Sequence, residues 1–400
     1  MYAYILSTAK KLEPFGEHPR DCLIGNRSLE HRQDDALRSL GISPLRVADA
    51  GSISDPNAHL VLEDRLYFTP ELIAEFVAKS RVRKTSTRCA LRQGPVTEHT
   101  AVFTQDVPLM NGAYAYALRY EPAMRARQMP ESVVIDPEQY YEPLPVARHM
   151  TPLREPRLPI TDRVLIRVDH WVNLWAANLS VPAARIARSR KLKWRLLRLA
   201  VKARSLNQWN VLRATNSIGR DCDIHPTAYI ESSIIGSGTQ IGAGAVVRGA
   251  LIGKGCRILN RATVELCVLG DGAHVMNGCT AQFAVLYAGH LTMSNRVSFS
   301  LCGRDTFVGD GVTLDDFRVD GETVRVLKDG AFVDSGMTFL GGCLGHGAYL
   351  GAGCVLAPGR AIPNGWRVSR ETGVITSTQN GTDLQGLNVL LPTLPAQRYA

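Results

Sequence analysis

An apolar residue returns every seventeen positions through the middle of this chain: Ile235, Ile252, Leu269 and Leu286. Two further apolar anchors divide each cycle: Ile241 and Val247, Ile258 and Val264, Val275 and Ala281. The steps run six, six, five. Four residues after each first anchor stands a small side chain, Thr239, Cys256 and Ala273 in turn. The next member of that ladder is His290, which breaks the pattern. A step near six is too short for a helix–turn–helix repeat and too regular for a hairpin array. It fits a left-handed parallel β-helix with three short strands per coil, anchors inward and small residues at the corners. Gly236, Gly242, Gly253 and Gly270 follow anchors, where the chain bends or passes close to its neighbour.

The period is strong over 224–286 and resumes at Leu344, Leu350, Leu356 and Ile362. The segment 312–342 between them reads as an excursion. Within it Val324, Val326, Asp329-Gly330, Phe332 and Val333 predict a hairpin with a tight turn. Loops that leave a regular scaffold often carry function.

The first 180 residues lack the repeat and read as mixed α/β. Strands are expected at Tyr2–Leu6, 44–47 and His59–Glu63. A helix is expected over 29–40, with Leu29, Ala36, Leu37 and Leu40 on one face. Thr69-Pro70-Glu71 starts another: a capping hydroxyl, proline in the first turn and an acid near the positive end. Residues 120–165 are proline-rich and give no assignment. The fold class is therefore an α/β, Rossmann-type N-terminal domain followed by a left-handed parallel β-helix. The boundaries are 1–180 for the first domain, 181–215 for a basic linking helix, 216–370 for the β-helix and 371–400 for a C-terminal tail.

Composition narrows the setting. The hydrophobic fraction of 45% and charged fraction of 21% are ordinary for a soluble protein. No apolar run approaches the ~20 residues that span a bilayer. The first residues lack a basic leader followed by a long apolar stretch, so no signal peptide is expected. The nine cysteines include no CxxC pair, and Cys256, Cys279 and Cys354 fall on the small-residue offset. They read as buried fillers, and free thiols suit a cytoplasmic location. The net charge of +9 concentrates in 170–218, which holds ten Lys or Arg and no Asp or Glu. Over 185–204, Leu192, Leu196, Leu199 and Ala203 share one helical side, and Lys191, Arg195, Arg198 and Lys202 another. The favoured reading is a linker that packs its apolar face. Peripheral membrane contact through 185–204 is the alternative, and no nucleic-acid partner is expected.

The order of α/β domain, linking helix and β-helix resembles the bifunctional sugar-1-phosphate nucleotidylyltransferase/acetyltransferases. Ala288-Gly289-His290-Leu291-Thr292 is similar to the family's AGHLT segment, whose histidine is the acyltransfer base. Asp315-Asp316-Phe317-Arg318 falls where archaeal members have Ala-Asn-Leu-Arg, whose asparagine contacts the sugar. Gly25-Asn26-Arg27-Ser28-Leu29-Glu30-His31 resembles the segment GN(K/R)PLIEH. Val61-Leu62-Glu63-Asp64 resembles the strand ending in the metal-binding aspartate, and Leu174-Trp175-Ala176-Ala177-Asn178 the closing LLEAN. The chain departs from the family at several places. Ser7-Thr8-Ala9-Lys10-Lys11 replaces the glycine-rich phosphate loop, Met293 an aromatic residue and Asp316 the asparagine. The basic residues expected near Met337-Thr338-Phe339 are missing.

The resemblance implies an acyl-CoA-dependent acyltransferase acting on a sugar or sugar nucleotide. His290 would be general base, and Asp316 and Arg318 would meet the acceptor. Ala352, Arg360 and Arg367 would meet acetyl-CoA or another acyl-CoA. Asp64, with Asp169 as a second acid, would hold Mg²⁺ only if the N-terminal domain were active, and the replaced phosphate loop points to lost catalysis there. The resemblance also implies a homotrimer with acyl-CoA between subunits. The alternative is a non-catalytic sugar-nucleotide-binding sensor or scaffold on the same architecture.

Overall fold

The structure, a computed structural model, describes residues 1–83, 85–123, 129–143, 157–191, 201, 204, 207–369 and 390–391. The chain divides into two compact units, 1–196 with 319–338, and 197–318 with 339–400.

The first unit is built on a sheet. Its strands lie in the order Glu131–Ile135, Thr87–Arg92, Ala113–Glu121, His59–Glu63, Tyr2–Leu6, Ser43–Val47. Within that path Ala113–Glu121 runs antiparallel to both neighbours, and the other pairs are parallel. Side chains alternate across a sheet. Ala3, Ile5, Leu60, Leu62, Cys89, Leu91 and Leu118 therefore share one face. They cluster there with Leu37 of helix Leu29–Arg38 and with Leu72, Ile73 and Phe76 of helix Pro70–Val82. Each of the leucine, isoleucine and phenylalanine side chains contributes about 1.5–3 kcal/mol relative to exposure.

Most elements expected in this unit form, within a residue or two. Thr69 differs from its expected capping role. Its hydroxyl donates to the Asp162 carbonyl and accepts from the Val164 N–H, leaving Pro70 and Glu71 to favour the helix start. The unassigned region supplies strands from its edges, including Tyr140–Pro143 paired with Arg157–Ile160.

The helix expected over 185–204 begins earlier. It spans Trp171–Lys191 and includes Leu174 to Asn178, all buried. Arg188 forks onto Glu71 at 2.6 and 2.8 Å, so this cation packs within the unit. Residues 192–200, 202 and 203, with most of the expected apolar and basic faces, lie outside the described residues. So does nearly all of the tail 371–400. Among the described residues, no helix is long and apolar enough to cross a membrane.

The second unit is a left-handed parallel β-helix. One interior column runs Ile235, Ile252, Leu269, Leu286, Cys302, Leu344, Ile362. Another runs Ile241, Ile258, Val275, Thr292, Val308, Leu350, Val368. The third begins Val247, Val264, Ala281, Val297. Coils touch so closely that a Cβ added to Gly270 would lie 2.3 Å from the Ala288 nitrogen.

The repeat continues past Leu286. Thr292 puts a polar residue on an anchor, and Thr280 pairs with Arg296, sixteen positions on. That one-residue slip hides the later coils from a seventeen-residue count. The expected hairpin forms from Arg325–Lys328 and Ala331–Asp334. Asp329 and Gly330 both have positive φ, 49° and 84°, as a two-residue hairpin turn of this hand requires. Residues 319–338 belong to the first compact unit, where Lys10 bonds Asp329 at 3.0 Å and the Lys328 ammonium bonds the Thr104 carbonyl at 2.9 Å.

Candidate active site

His290 occupies the corner between strands Val285–Leu286 and Leu291–Thr292. Its side chain has no exposed surface. The Nδ1 atom lies 2.7 Å from the Thr306 hydroxyl, which itself donates to the Gly303 carbonyl at 2.9 Å. A threonine hydroxyl has one hydrogen, so here it accepts from Nδ1–H. That network assigns the neutral tautomer with a bare lone pair on Nε2. Nε2 is buried and, among the described residues, has no hydrogen-bond partner. Burial pushes the His290 pKa down to about 3, and nearby His274 pushes it the same way. A buried polar atom without a partner costs about 1–3 kcal/mol. The corner thus holds an oriented, neutral imidazole with its accepting nitrogen unused.

Asp316 lies elsewhere, just beyond strand Thr313–Leu314. It terminates an outward row whose earlier members are Glu231, Arg248, Glu265, Gln282 and Ser298. Its carboxylate accepts from the Ser298 hydroxyl and from Arg296 Nη2 at 3.1 Å. Beside it Phe317 stacks on Phe339, Phe339 on Phe299 and Phe299 on Phe283, with centroids 5.5, 5.7 and 4.7 Å apart. Phe283 and Phe299 hold φ of 50° and 47°, a left-handed corner unusual for bulky residues. Arg318 follows this stack and is half-buried. His290 and Asp316 stand at different corners of the triangular coil, so one chain does not bring them together.

In the last coils Ala352 is exposed and Arg360 half-buried. Arg367, also exposed, lies 4.8 Å over the Tyr349 ring, whose strand it pairs with. Phe307 continues that row at 5.7 Å from Tyr349.

In the first unit Asp64 follows strand His59–Glu63 and is buried. One carboxylate oxygen accepts the Thr8 N–H at 3.0 Å and the other the Thr8 hydroxyl at 2.6 Å. Arg20 lies 4.0 Å away. Asp169 meets Arg65 at 2.5 Å and Arg167 at 2.9 Å. Burial raises its pKa, against the pull of Arg167 and Arg65. Both acids are thus engaged by donors or cations. Among the described residues, no group of His, Cys, Asp or Glu side chains forms a metal cluster. Carboxylates already satisfied by Thr8 and by two arginines do not fit Mg²⁺.

Sequence reasoning missed Thr306 and the phenylalanine stack. Thr306 sits on the His290 ladder one coil later, at a step of sixteen. Leu266, Phe283 and Phe299 also form an outer ladder, at steps of seventeen and sixteen.

Residues 205–288 match the sequence family described as the GMPPB C-terminal domain, a match that stops short of His290. A search of curated proteins returned no match. Among solved structures, a UDP-N-acetylglucosamine acyltransferase from Campylobacter jejuni is similar at 13% identity and a TM-score of 0.22, over 38% of this chain and 67% of that one. The acetyltransferase domain of PglB from Neisseria gonorrhoeae FA1090 is similar at 19% identity and a TM-score of 0.15, over 38% of this chain and 53% of that one. The same domain in complex with acetyl coenzyme A gives 18% identity and a TM-score of 0.14, over 37% and 51%. The chain spans about half the length of the PglB structures. Likenesses this low carry no argument about chemistry.

Proposed function

We propose that the β-helical unit is an acyl-CoA-dependent acyltransferase whose acceptor is an amine or hydroxyl of a sugar or sugar nucleotide. The observation that carries this reading is the His290 imidazole, held by Thr306 in the tautomer that leaves Nε2 a bare acceptor. In the reaction the acceptor N–H or O–H attacks the thioester carbonyl. A C–N or C–O bond forms, the C–S bond breaks, Nε2 takes the acceptor's proton and the thiolate of CoA leaves. General-base help of this kind is worth about 10²–10⁴ in rate. The reaction requires the corner to open, because His290 has no exposed surface. It also requires acceptor contacts from another chain if Asp316 and Arg318 take part, as a homotrimer would supply. Ala352, Arg360 and Arg367 are assigned to the acyl-CoA in this reading.

One observation favours a second reading, a non-catalytic sugar-nucleotide-binding sensor or scaffold. His290 is enclosed and its pKa lies near 3, which makes it a weak base. Thiol release from acetyl-CoA, measured against a panel of amino sugars, sugar phosphates and UDP-sugars, separates the two. The first reading expects release with at least one acceptor and a loss of about 10²–10⁴ in His290→Ala. Release that is unchanged in that variant removes His290 from the mechanism. No release with any acceptor leaves the scaffold.

A further inference from the structure

On one face of the first unit's sheet two arginines face each other. Arg88 and Arg119 are directly opposite on antiparallel strands. Like charges in that position repel, and a sheet normally pairs opposite charges there. Among the described residues neither guanidinium has a hydrogen bond or ion pair to a side chain, and Arg88 Nε is buried without a partner. A buried unpaired donor on a cation is costly, so native structures supply it with an acceptor. The nearby carboxylate does not serve. Glu63 is held by Arg65 at 2.7 Å and by Arg167 at 3.5 Å.

These side chains line one cleft of about 270 Å³, with Glu63 and Arg167 on its wall and Ala115 and Ala117 on its floor. The small floor residues leave room above the strand. The strand register between Arg88 and Ala90 is also irregular, which sets Arg88 apart from the regular alternation. The volume is at the lower edge of the ~300–1,000 Å³ of drug-sized sites, too small for a whole sugar nucleotide. Two forked guanidinium groups match the oxygens of a tetrahedral dianion.

We propose that this cleft binds a phosphate group, as inorganic phosphate or as the phosphate of a small ester, through Arg88 and Arg119. Asp64 and Thr8 are not among the residues that line the cleft, and the proposal does not depend on acyl transfer in the β-helical unit.

The test is calorimetric titration of the full chain at constant ionic strength, with inorganic phosphate and, separately, with glucose 1-phosphate. At least one probe should bind, and tighter binding of the ester would identify an ester as the ligand. Arg88→Gln and Arg119→Gln should each weaken binding about tenfold or more. Arg83→Gln, which removes a surface pair with Glu131, should leave it unchanged. Should the glutamine variants fail to fold, Arg88→Lys and Arg119→Lys keep the charge, lose the fork and should still weaken binding. No binding of either probe at ~10 mM, or binding unaltered in the arginine variants, overturns the proposal.

Discussion

The two units hold their buried polar groups in opposite ways. The β-helix buries neutral groups in an apolar column: His290 on Thr306, Thr292 on an anchor position, cysteines as fillers. The α/β unit draws charges in and pairs most of them: buried Asp169 with Arg65 and Arg167, and Glu63 with the same two arginines, while the Arg88 guanidinium is the exception. Inside the stacked column each residue meets the apolar or neutral interior residue one coil away, so a charge buried there would find no partner. A mixed sheet brings unlike segments together, and ion pairs can form. The difference says where each unit is vulnerable. The column fails by steric misfit or by protonation, the network by loss of a partner.

The network should show the largest effect. Arg65→Met removes the nearer of two partners of Glu63 and one of two partners of buried Asp169. A loss of about 3 kcal/mol is expected in denaturant unfolding. A loss below ~1 kcal/mol would mean that the charges are solvated after all.

The column should respond to one added methyl. Gly270→Ala places a Cβ against the backbone of Ala288, where no side chain can move aside. The expected cost is about 1–3 kcal/mol by the same measurement. A neutral result would loosen the picture of tightly stacked coils.

Protonation gives the next effect. His290 has a folded pKa near 3, below its ordinary value of 6.5. The unfolded chain therefore binds more protons between those limits. The stability due to neutral His290 is complete above pH 6.5 and falls as pH drops towards 3, by roughly 1.4 kcal/mol per unit. His290→Gln should flatten the pH dependence of stability between pH 6 and 5 by about that slope. An unchanged slope would show that His290 is solvated, and would make the corner accessible to an acceptor.

The smallest effect belongs to the surface of the β-helix. Arg248 bridges Glu231 and Glu265 at 3.3 and 3.2 Å but is substantially exposed. Arg248→Gln should cost no more than about 0.5 kcal/mol and lose even that in high salt. A cost above ~1 kcal/mol would blur the contrast between the units.

How far the sequence could be read follows from the same contrast. The coils were legible because an interior anchor must be apolar at a fixed offset. The period was lost at Thr292, where one polar anchor and a sixteen-residue coil broke both criteria, and was found again at Leu344. Strands Tyr2–Leu6 and His59–Glu63 were legible as short apolar runs. Ala113–Glu121 was not, since alanines and tyrosines alternate there and most residues are buried, so no apolar and polar alternation marks the strand. His290 was legible as an exception to its ladder. Its enclosure was not, because that depends on Thr306 one slipped coil later. Asp64 was legible as a carboxylate at a strand end. That Thr8 would occupy both of its oxygens was not, because Thr8 lies in a loop with no pattern of its own.

The central claim concerns the β-helical unit, and acetyl-CoA binding tests it most directly. The full chain would be titrated with acetyl-CoA in a calorimeter, beside His290→Ala. The account predicts micromolar binding at about one site per subunit in both proteins, since His290 is assigned to proton transfer and not to CoA. No heat of binding at millimolar acetyl-CoA would contradict it.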